Sequence, residues 1–304
     1  MKVSDLSQAE IRSQLQHTGI SLIIGPYILC IQSKFNDVAE GISLLYADYQ
    51  LQTLDSFADF HISIESPIGL RSFLKPQVNF AFDGRVPFKP LPRDQAVPLL
   101  EWGTNWCIGN FSHQFMIIHA AVIEKNGFAA ILPGQPGAGK STLCAGLVSR
   151  GWRLLSDELT LISPEDKRVV PVPRPVSLKN ESIDVIREFA SDAVIGPVVH
   201  DTSKGTVAHM RSPAESVEQA NIPAIPAWIV FPRYKQNAPA ILNQRAKGRS
   251  FMELAEQSFN YNILGVDGFK LLNHTIDNCN CYNFTYGHLS EAIEAFDALP
   301  IPQC

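Results

Sequence analysis

Apolar and polar residues change their spacing several times along the chain, and each change predicts an element. In SLIIGPYILCIQS (21–33) apolar side chains crowd both flanks of Gly25-Pro26, which predicts two strands broken at that turn. In NDVAEGISLLYADY the residues Val38, Ile42, Leu45 and Tyr46 fall on one helical face, with Asn36 as N-cap. A short amphipathic helix is expected over 5–16, and alternation over 58–82 predicts further strands. The proline-rich PFKPLPRDQAVP (87–98) predicts a linker. It places a domain boundary near residue 90, with a smaller α+β domain over 1–90 and a second domain over 91–304.

The second part opens with an expected helix around LLEWGTNWCIGNF, followed by strands over 115–124 and 127–133. Between those strands lies Lys125-Asn126-Gly127, a short-hairpin signal, so the second strand should run antiparallel to the first. TLCAGLVSRGW then reads as a helix with a glycine stop. WRLLSDELTLI, a turn at Ser163–Asp166 and RVVPVP follow, then a helix over 182–189, a buried strand over 228–232 and a closing helix over 288–299. Strands alternating with helices make this an α/β protein, and the hairpin makes its sheet mixed.

The 304 residues are 45% hydrophobic and 18% charged, which fits a folded chain and excludes disorder as its main state. A net charge of −5 argues against a general nucleic-acid partner. No stretch approaches the ~18 apolar residues of a membrane span, so no membrane insertion is expected. MKVSDLSQAEIRSQL lacks the apolar core of a signal peptide, so the chain is expected in the cytoplasm. The six cysteines, Cys30, Cys107, Cys144, Cys279, Cys281 and Cys304, lack paired zinc spacing and are expected as unpaired thiols.

The most specific signal is Gly134-Gln135-Pro136-Gly137-Ala138-Gly139-Lys140-Ser141-Thr142, a complete Walker A sequence. It lies between a β-leaning run and a helix, the context that the motif needs. In such a loop backbone N–H groups line an anion nest at a helix N-terminus. Gly134, Gly137 and Gly139 can take backbone angles closed to other residues. Lys140 would reach the terminal phosphates and Ser141 would ligate Mg²⁺, so the expected cofactors are ATP and Mg²⁺.

Phosphoryl transfer also needs an acid facing the triphosphate, to hold Mg²⁺ or to accept the proton of the attacking hydroxyl. Asp157 and Glu158 follow the apolar run Trp152–Leu155, one helix past the loop, and are candidates alongside the alternative of two solvated turn acids. His119, mid-strand by its pattern, is either a core histidine or a group that tunes a neighbouring carboxylate. PRPVSLKNESI (173–183) offers Arg174, Lys179 and Glu181. SKGTVAHMRSP (203–213) reads as a mobile basic loop carrying Lys204, His209 and Arg211.

The block HAAVIEKNGFAAILPGQPGAGKST, then RLLSDE, then the loop ending in Glu181 resembles the catalytic domain of bacterial HPr kinase/phosphorylase. With LLEWGTNWCI and PRPVSLKNESI the whole chain is similar to HPr-kinase-related kinase A, a family associated with exosortase and exopolysaccharide gene sets. The resemblance implies a P-loop fold of the HPr-kinase and phosphoenolpyruvate-carboxykinase type. It implies His119 on a paired strand before the loop, Asp157 as base, and Glu181 with Ser141 and Asp157 as metal ligands. Glu158 stands where the family usually has a second aspartate.

These features together predict an ATP- and Mg²⁺-dependent kinase with Lys140, Asp157 and His119 as its catalytic groups. The acceptor would be a hydroxyl, either a protein serine or a small molecule, with a cation from 204–211 closing over the transferred phosphate. A nucleotide-binding regulator without turnover and a small-molecule or carboxykinase-like enzyme stay open as alternatives. So do the oligomeric state, a homo-oligomer included, and the role of residues 1–90.

Overall fold

The computed structural model describes residues 1–52, 57–67, 69 and 75–301. Its first layer is a five-stranded sheet in chain order, Ile20–Ile24, Tyr27–Ser33, Phe60–Glu65, Gln77–Phe82 and Leu91–Pro92. The break at Gly25-Pro26 holds, and Ile24 pairs with Tyr27 across it. Two of the strands expected over 58–82 form, while residues 68 and 70–74 lie outside the described residues. The first helix runs Gln8–His17, capped by Ser7, whose side chain accepts from the Glu10 N–H. The second runs Asn36–Leu45; Asn36 is its first residue and Phe35 precedes it, so the asparagine cap does not form.

The proline-rich stretch contributes the fifth strand and a turn of 3₁₀ helix, Arg93–Gln95, and leads directly into the helix Ala96–Phe111. Leu99, Leu100, Cys107 and Ile108 of that helix join the apolar cluster under the first sheet. Gly103 lies so close to Phe80 that a Cβ there would meet the ring at 2.0 Å. Helix and sheet can therefore meet closely only because residue 103 has no side chain.

The second layer is a six-stranded mixed sheet ordered Ile241–Gln244, Asn280–Tyr286, Ile225–Tyr234, Phe128–Pro133, Ala120–Lys125, Arg153–Ser156. The hairpin at Asn126-Gly127 forms as expected, with Lys125 opposite Phe128 and both turn residues at positive φ (56° and 86°). Ala120–Lys125 is antiparallel to both Phe128–Pro133 and Arg153–Ser156, and Ile225–Tyr234 is parallel to Phe128–Pro133 and to Asn280–Tyr286. It follows that the ends of four strands, at Pro133, Ser156, Tyr234 and Tyr286, and the start of a fifth, at Ala120, meet at one edge of the sheet. This edge positions the candidate site.

The helix Lys140–Val148 is buried on nearly every side, in a cluster with Leu132, Leu154, Val230, Phe284 and Leu289. The helices Ser182–Phe189 and Leu289–Asp297 form close to their expected bounds. The pattern gave no warning of Lys247–Glu256 and Tyr261–Asp277, two helices that cover the other face of the sheet. The second is interrupted at Gly265 (φ 56°, ψ −123°), which breaks its helical spacing.

Two further expectations change. The strand over 115–124 is two strands: Met116–Ile118 pairs with Thr160–Ile162 in a separate small sheet, Ala120–Lys125 belongs to the large sheet, and His119 is the link between them. Residues 205–210 form no mobile loop. They are the central strand of a three-stranded sheet between Val176–Lys179 and Val199–Thr202, with Val207, Ala208, His209 and Met210 buried. Their apolar content suits a central strand, and only Ser203 and Lys204 remain as a hairpin turn. Among the described residues no helix is long and apolar enough to cross a membrane.

Candidate functional site

The glycine loop leaves Pro133 at the sheet edge and enters its helix at Lys140. Gly134, Gly137 and Gly139 take φ of 153°, 84° and 90°, the region that glycine enters without strain. The loop is held from several remote segments. The Gly134 N–H donates to Gln257 Oε1 at 2.9 Å, the Tyr286 hydroxyl donates to the Gly139 carbonyl at 2.9 Å, and the Tyr234 N–H donates to the Ala138 carbonyl at 3.0 Å. A Cβ on Gly139 would come within 2.5 Å of the Tyr286 hydroxyl, whereas one on Gly137 would meet nothing within 4 Å. The loop thus has a tightly supported base and an open rim, at Gln135, Pro136 and Gly137.

Lys140 is buried and its ammonium folds back to donate to the carbonyls of Gly134 and Gln135, the second at 3.3 Å. Burial holds its pKa below the ordinary lysine value, with the Asp157 carboxylate working against that shift. A buried ammonium whose hydrogen bonds go to uncharged carbonyls, with its carboxylate neighbours acting only through space, favours an anion in the loop.

Asp157 follows the strand Arg153–Ser156 and lies 5% exposed. One oxygen, Oδ2, accepts from the Ser177 N–H at 3.0 Å; the other, Oδ1, has no hydrogen-bond partner. Burial, then the charge of Glu158, pushes its carboxyl up to about 6, while the Ser177 N–H, the Ser141 hydroxyl and Lys179 pull the other way. Glu158 differs. Burial acts to raise its pKa, but Lys204, Lys179, Arg174 and His119 together outweigh that and hold it below the usual carboxylate range. It accepts from Asn105 Nδ2 and stands 3.8 Å from the Lys179 ammonium. The two neighbouring acids are pushed apart, one ionised and one poised near neutrality, as acid–base sites require.

His119 is half-buried at the junction of the two sheets. Its backbone N–H donates to the Gln257 backbone carbonyl at 2.8 Å, and its ring lies 6.0 Å from that of Phe259. Burial, reinforced by Lys140, lowers its pKa, so the imidazole is neutral. Glu181 is exposed at the start of Ser182–Phe189 and makes no side-chain hydrogen bond or ion pair among the described residues. Ser141, Asp157 and Lys140 are therefore gathered, with His119 in the field of Lys140, while Glu181 stands apart. Among the described residues no group of three His, Cys, Asp or Glu is arranged to hold a metal. Mg²⁺ sites built on one or two carboxylates are ordinarily completed by substrate phosphates, so Ser141 and Asp157 fit that chemistry without a protein cage.

Arg211, a sequence candidate for the closing cation, is turned away. Its guanidinium pairs with Asp48 at 2.5 Å in the N-terminal layer. Lys204, at the tip of the hairpin, instead reaches the Trp102 ring, 4.8 Å from its centroid, and acts on Glu158. Arg174 is buried, bonded to Glu101 Oε2 and to Asn105 Oδ1, both at 2.6 Å. Gln257, Tyr234 and Tyr286 were invisible as site residues in the sequence, since each lies far along the chain in an unremarkable local pattern, and Asn105 lay within LLEWGTNWCI without being marked as a site residue.

No family model matches the chain. Over 102 residues it is 28% identical to the HPr kinase/phosphorylase of Latilactobacillus sakei, covering 31% of either chain. Over 84 residues it is 33% identical to the HPr kinase/phosphorylase of Lactobacillus acidophilus, covering 25% of this chain and 26% of the other. The chain carries an HPr-kinase-like segment. It thus spans about a third or less of the length of these curated relatives. The HPr(Ser) kinase/phosphatase of Coxiella burnetii superposes with a TM-score of 0.27 and 12% identity, covering 60% of this chain and 95% of that one. That superposition is too loose to argue from.

Proposed function

We propose that this chain is an ATP- and Mg²⁺-dependent kinase that transfers the γ-phosphate to a hydroxyl, a protein serine first among the acceptors. The observation that carries the proposal is Asp157, a buried acid beside the glycine loop, with one anchored oxygen, one unpartnered oxygen and a pKa raised to about 6. An acid so placed can accept the proton of an attacking hydroxyl near neutral pH.

In this reading the N–H groups of Gly137, Gly139 and Lys140 and the Lys140 ammonium bind the phosphates. The Ser141 hydroxyl, with Asp157 and from farther off Glu181, would hold Mg²⁺. Bound MgATP would supply the γ-phosphoryl group and a dication that neutralises charge on its oxygens. His119, neutral, borders the site without competing for the phosphates as a cation. Lys204, from the 204–211 segment expected to provide it, and Lys179 supply the outer positive charge. The segment shared with HPr kinase/phosphorylases includes no argument about the acceptor, so a small molecule stands as the alternative to serine.

The test is incubation of the pure protein with γ-labelled ATP, Mg²⁺ and a cell lysate, separating protein-bound from small-molecule label. Label on a protein supports the proposal in full, and label on a small molecule moves the acceptor. Tight ATP binding without any transfer overturns it in favour of a nucleotide-binding regulator.

A further inference from the structure

Beside Asp157, with no residue of the glycine loop in its walls, lies a cavity of about 20 Å³ lined by Trp102, Asn105, Asp157, Arg174, Ser177 and His209 among others. Five of these residues each carry one buried polar atom without a hydrogen-bond partner: Trp102 Nε1, Asp157 Oδ1, Arg174 Nε, Ser177 Oγ and His209 Nε2. Buried polar groups are ordinarily paired, so orphaned atoms on five residues lining one void call for a partner within it, and four of them, all but Trp102 Nε1, make one complementary set. The fold explains how they converge. Ser177 and His209 are directly opposed on antiparallel strands, Val176–Lys179 and Gly205–Met210, which puts their side chains on one face. The Ser177 N–H also holds Asp157 Oδ2. Arg174 is fixed on the facing wall by Glu101 and Asn105, which occupy its other nitrogens and leave Nε free.

The volume suits one water molecule, which needs roughly 10–15 Å³ and two to four polar partners. The chemistry matches as well. Arg174 Nε–H and the Ser177 hydroxyl are donors, while Asp157 Oδ1 and a neutral imidazole nitrogen are acceptors. We propose that this cavity binds one ordered water, which accepts from Arg174 Nε and Ser177 Oγ, donates to Asp157 Oδ1 and His209 Nε2, and thereby makes His209 a positioning residue for the Asp157 carboxylate. His209 is 3% exposed, and burial lowers its pKa despite the opposing pull of Glu101 and Glu158, with Arg174 and Lys179 reinforcing the neutral form. A neutral imidazole can accept at Nε2 with its proton on Nδ1. The same field reaches Asp157 through Glu158 and Lys179. The water would fix the direction of the Asp157 carboxylate, leaving its remaining lone pairs toward Ser141. The role in transfer rests on the kinase reading above; the water site does not.

The experiment is a crystal structure of the full chain at a resolution that shows ordered water, for the wild type and for H209L and H209Q. One water peak within hydrogen-bonding distance of Asp157 Oδ1, Ser177 Oγ and His209 Nε2 is expected in the wild type. An empty or collapsed cavity overturns the proposal. In H209L the water should be gone and the Asp157 carboxylate rotated; an unmoved carboxylate overturns the positioning role. Transfer of the γ-label from MgATP to the lysate acceptor provides the kinetic arm. H209L should lose about 10- to 100-fold in turnover, the usual range for a residue supporting a reactive group, with KM for ATP little changed, and H209Q should recover much of it. If H209L does not fold, S177A removes one partner of the same water and keeps the backbone donor to Asp157. If the wild type transfers no label in that assay, the kinase reading fails, and the water density with the Asp157 rotation still decides this proposal.

Discussion

Replacing Asp157 by Asn should stabilise the nucleotide-free, metal-free protein at neutral pH while abolishing its chemistry. The carboxyl is 5% exposed, and burial followed by the Glu158 charge raises it from 3.8 to about 6. At about 1.4 kcal/mol per pH unit, holding it ionised in the fold at pH 7.5 disfavours folding by ~3 kcal/mol relative to an acid that titrates alike in both states. Because the folded pKa lies above the unfolded one, the folded chain binds more protons between about pH 4 and pH 6. The stability from the protonated carboxyl is therefore complete below about pH 4 and lost as pH rises through about 6. Asparagine keeps an oxygen for the Ser177 N–H and carries no charge to desolvate. After allowing for imperfect pairing of its NH₂ group, a gain of ~1–2 kcal/mol at pH 7.5 is expected. Urea unfolding of both proteins from pH 4.5 to 7.5 measures it. The wild type should lose stability toward pH 6 and level off, the variant should lack that slope, and the two curves should cross near the acid end. In parallel, ATP binding should persist and transfer should fall by about 10²–10⁴-fold. A variant less stable than wild type at pH 7.5, with the wild-type slope unchanged, would refute the reasoning by showing that the carboxylate is well solvated or well paired.

Lys140→Ala should remove most MgATP binding, read by calorimetry or by loss of the ligand-induced rise in melting temperature, because no other buried ammonium sits on the loop. Gly139→Ala should distort the loop, since its φ is 90° and the new Cβ would meet the Tyr286 hydroxyl at 2.5 Å; nucleotide affinity should drop at least tenfold, and adding Tyr286→Phe should restore only part of it because the backbone strain remains. Glu101→Ala should destabilise the fold by ~3–5 kcal/mol in urea unfolding, because it leaves the buried Arg174 without its carboxylate, while Arg211→Ala should leave turnover within about threefold of wild type, its partner being Asp48 rather than the site.

Much of the fold was legible because local patterns and tertiary demands agreed. Asn126-Gly127 between two apolar runs made a hairpin, Gly25-Pro26 split two strands, and Leu289, Ala292, Ile293 and Phe296 form the buried face of the last helix. The nine residues from Gly134 to Thr142 announced the glycine loop because backbone angles near 84° and 90° demand glycine whatever the surroundings. Asp157, too, could be marked from its place after a strand. Its burial, its second oxygen and its separation in pKa from Glu158 could not, since these depend on Ser177, Lys204 and Asn105 arriving from distant segments. His119 read as mid-strand because the apolar run continues on both sides, while only the assembled molecule shows that the run changes sheets there. The segment 203–213 read as a mobile loop because its polar residues and glycine dominate locally, and residues 205–210 within it became a central strand once neighbours existed on both edges. Sequence thus determined the elements whose conformation is settled by their own residues. The tertiary structure decided which charges are buried together and which groups are left unpaired, because desolvation and pairing depend on distances between parts of the chain that no local pattern encodes.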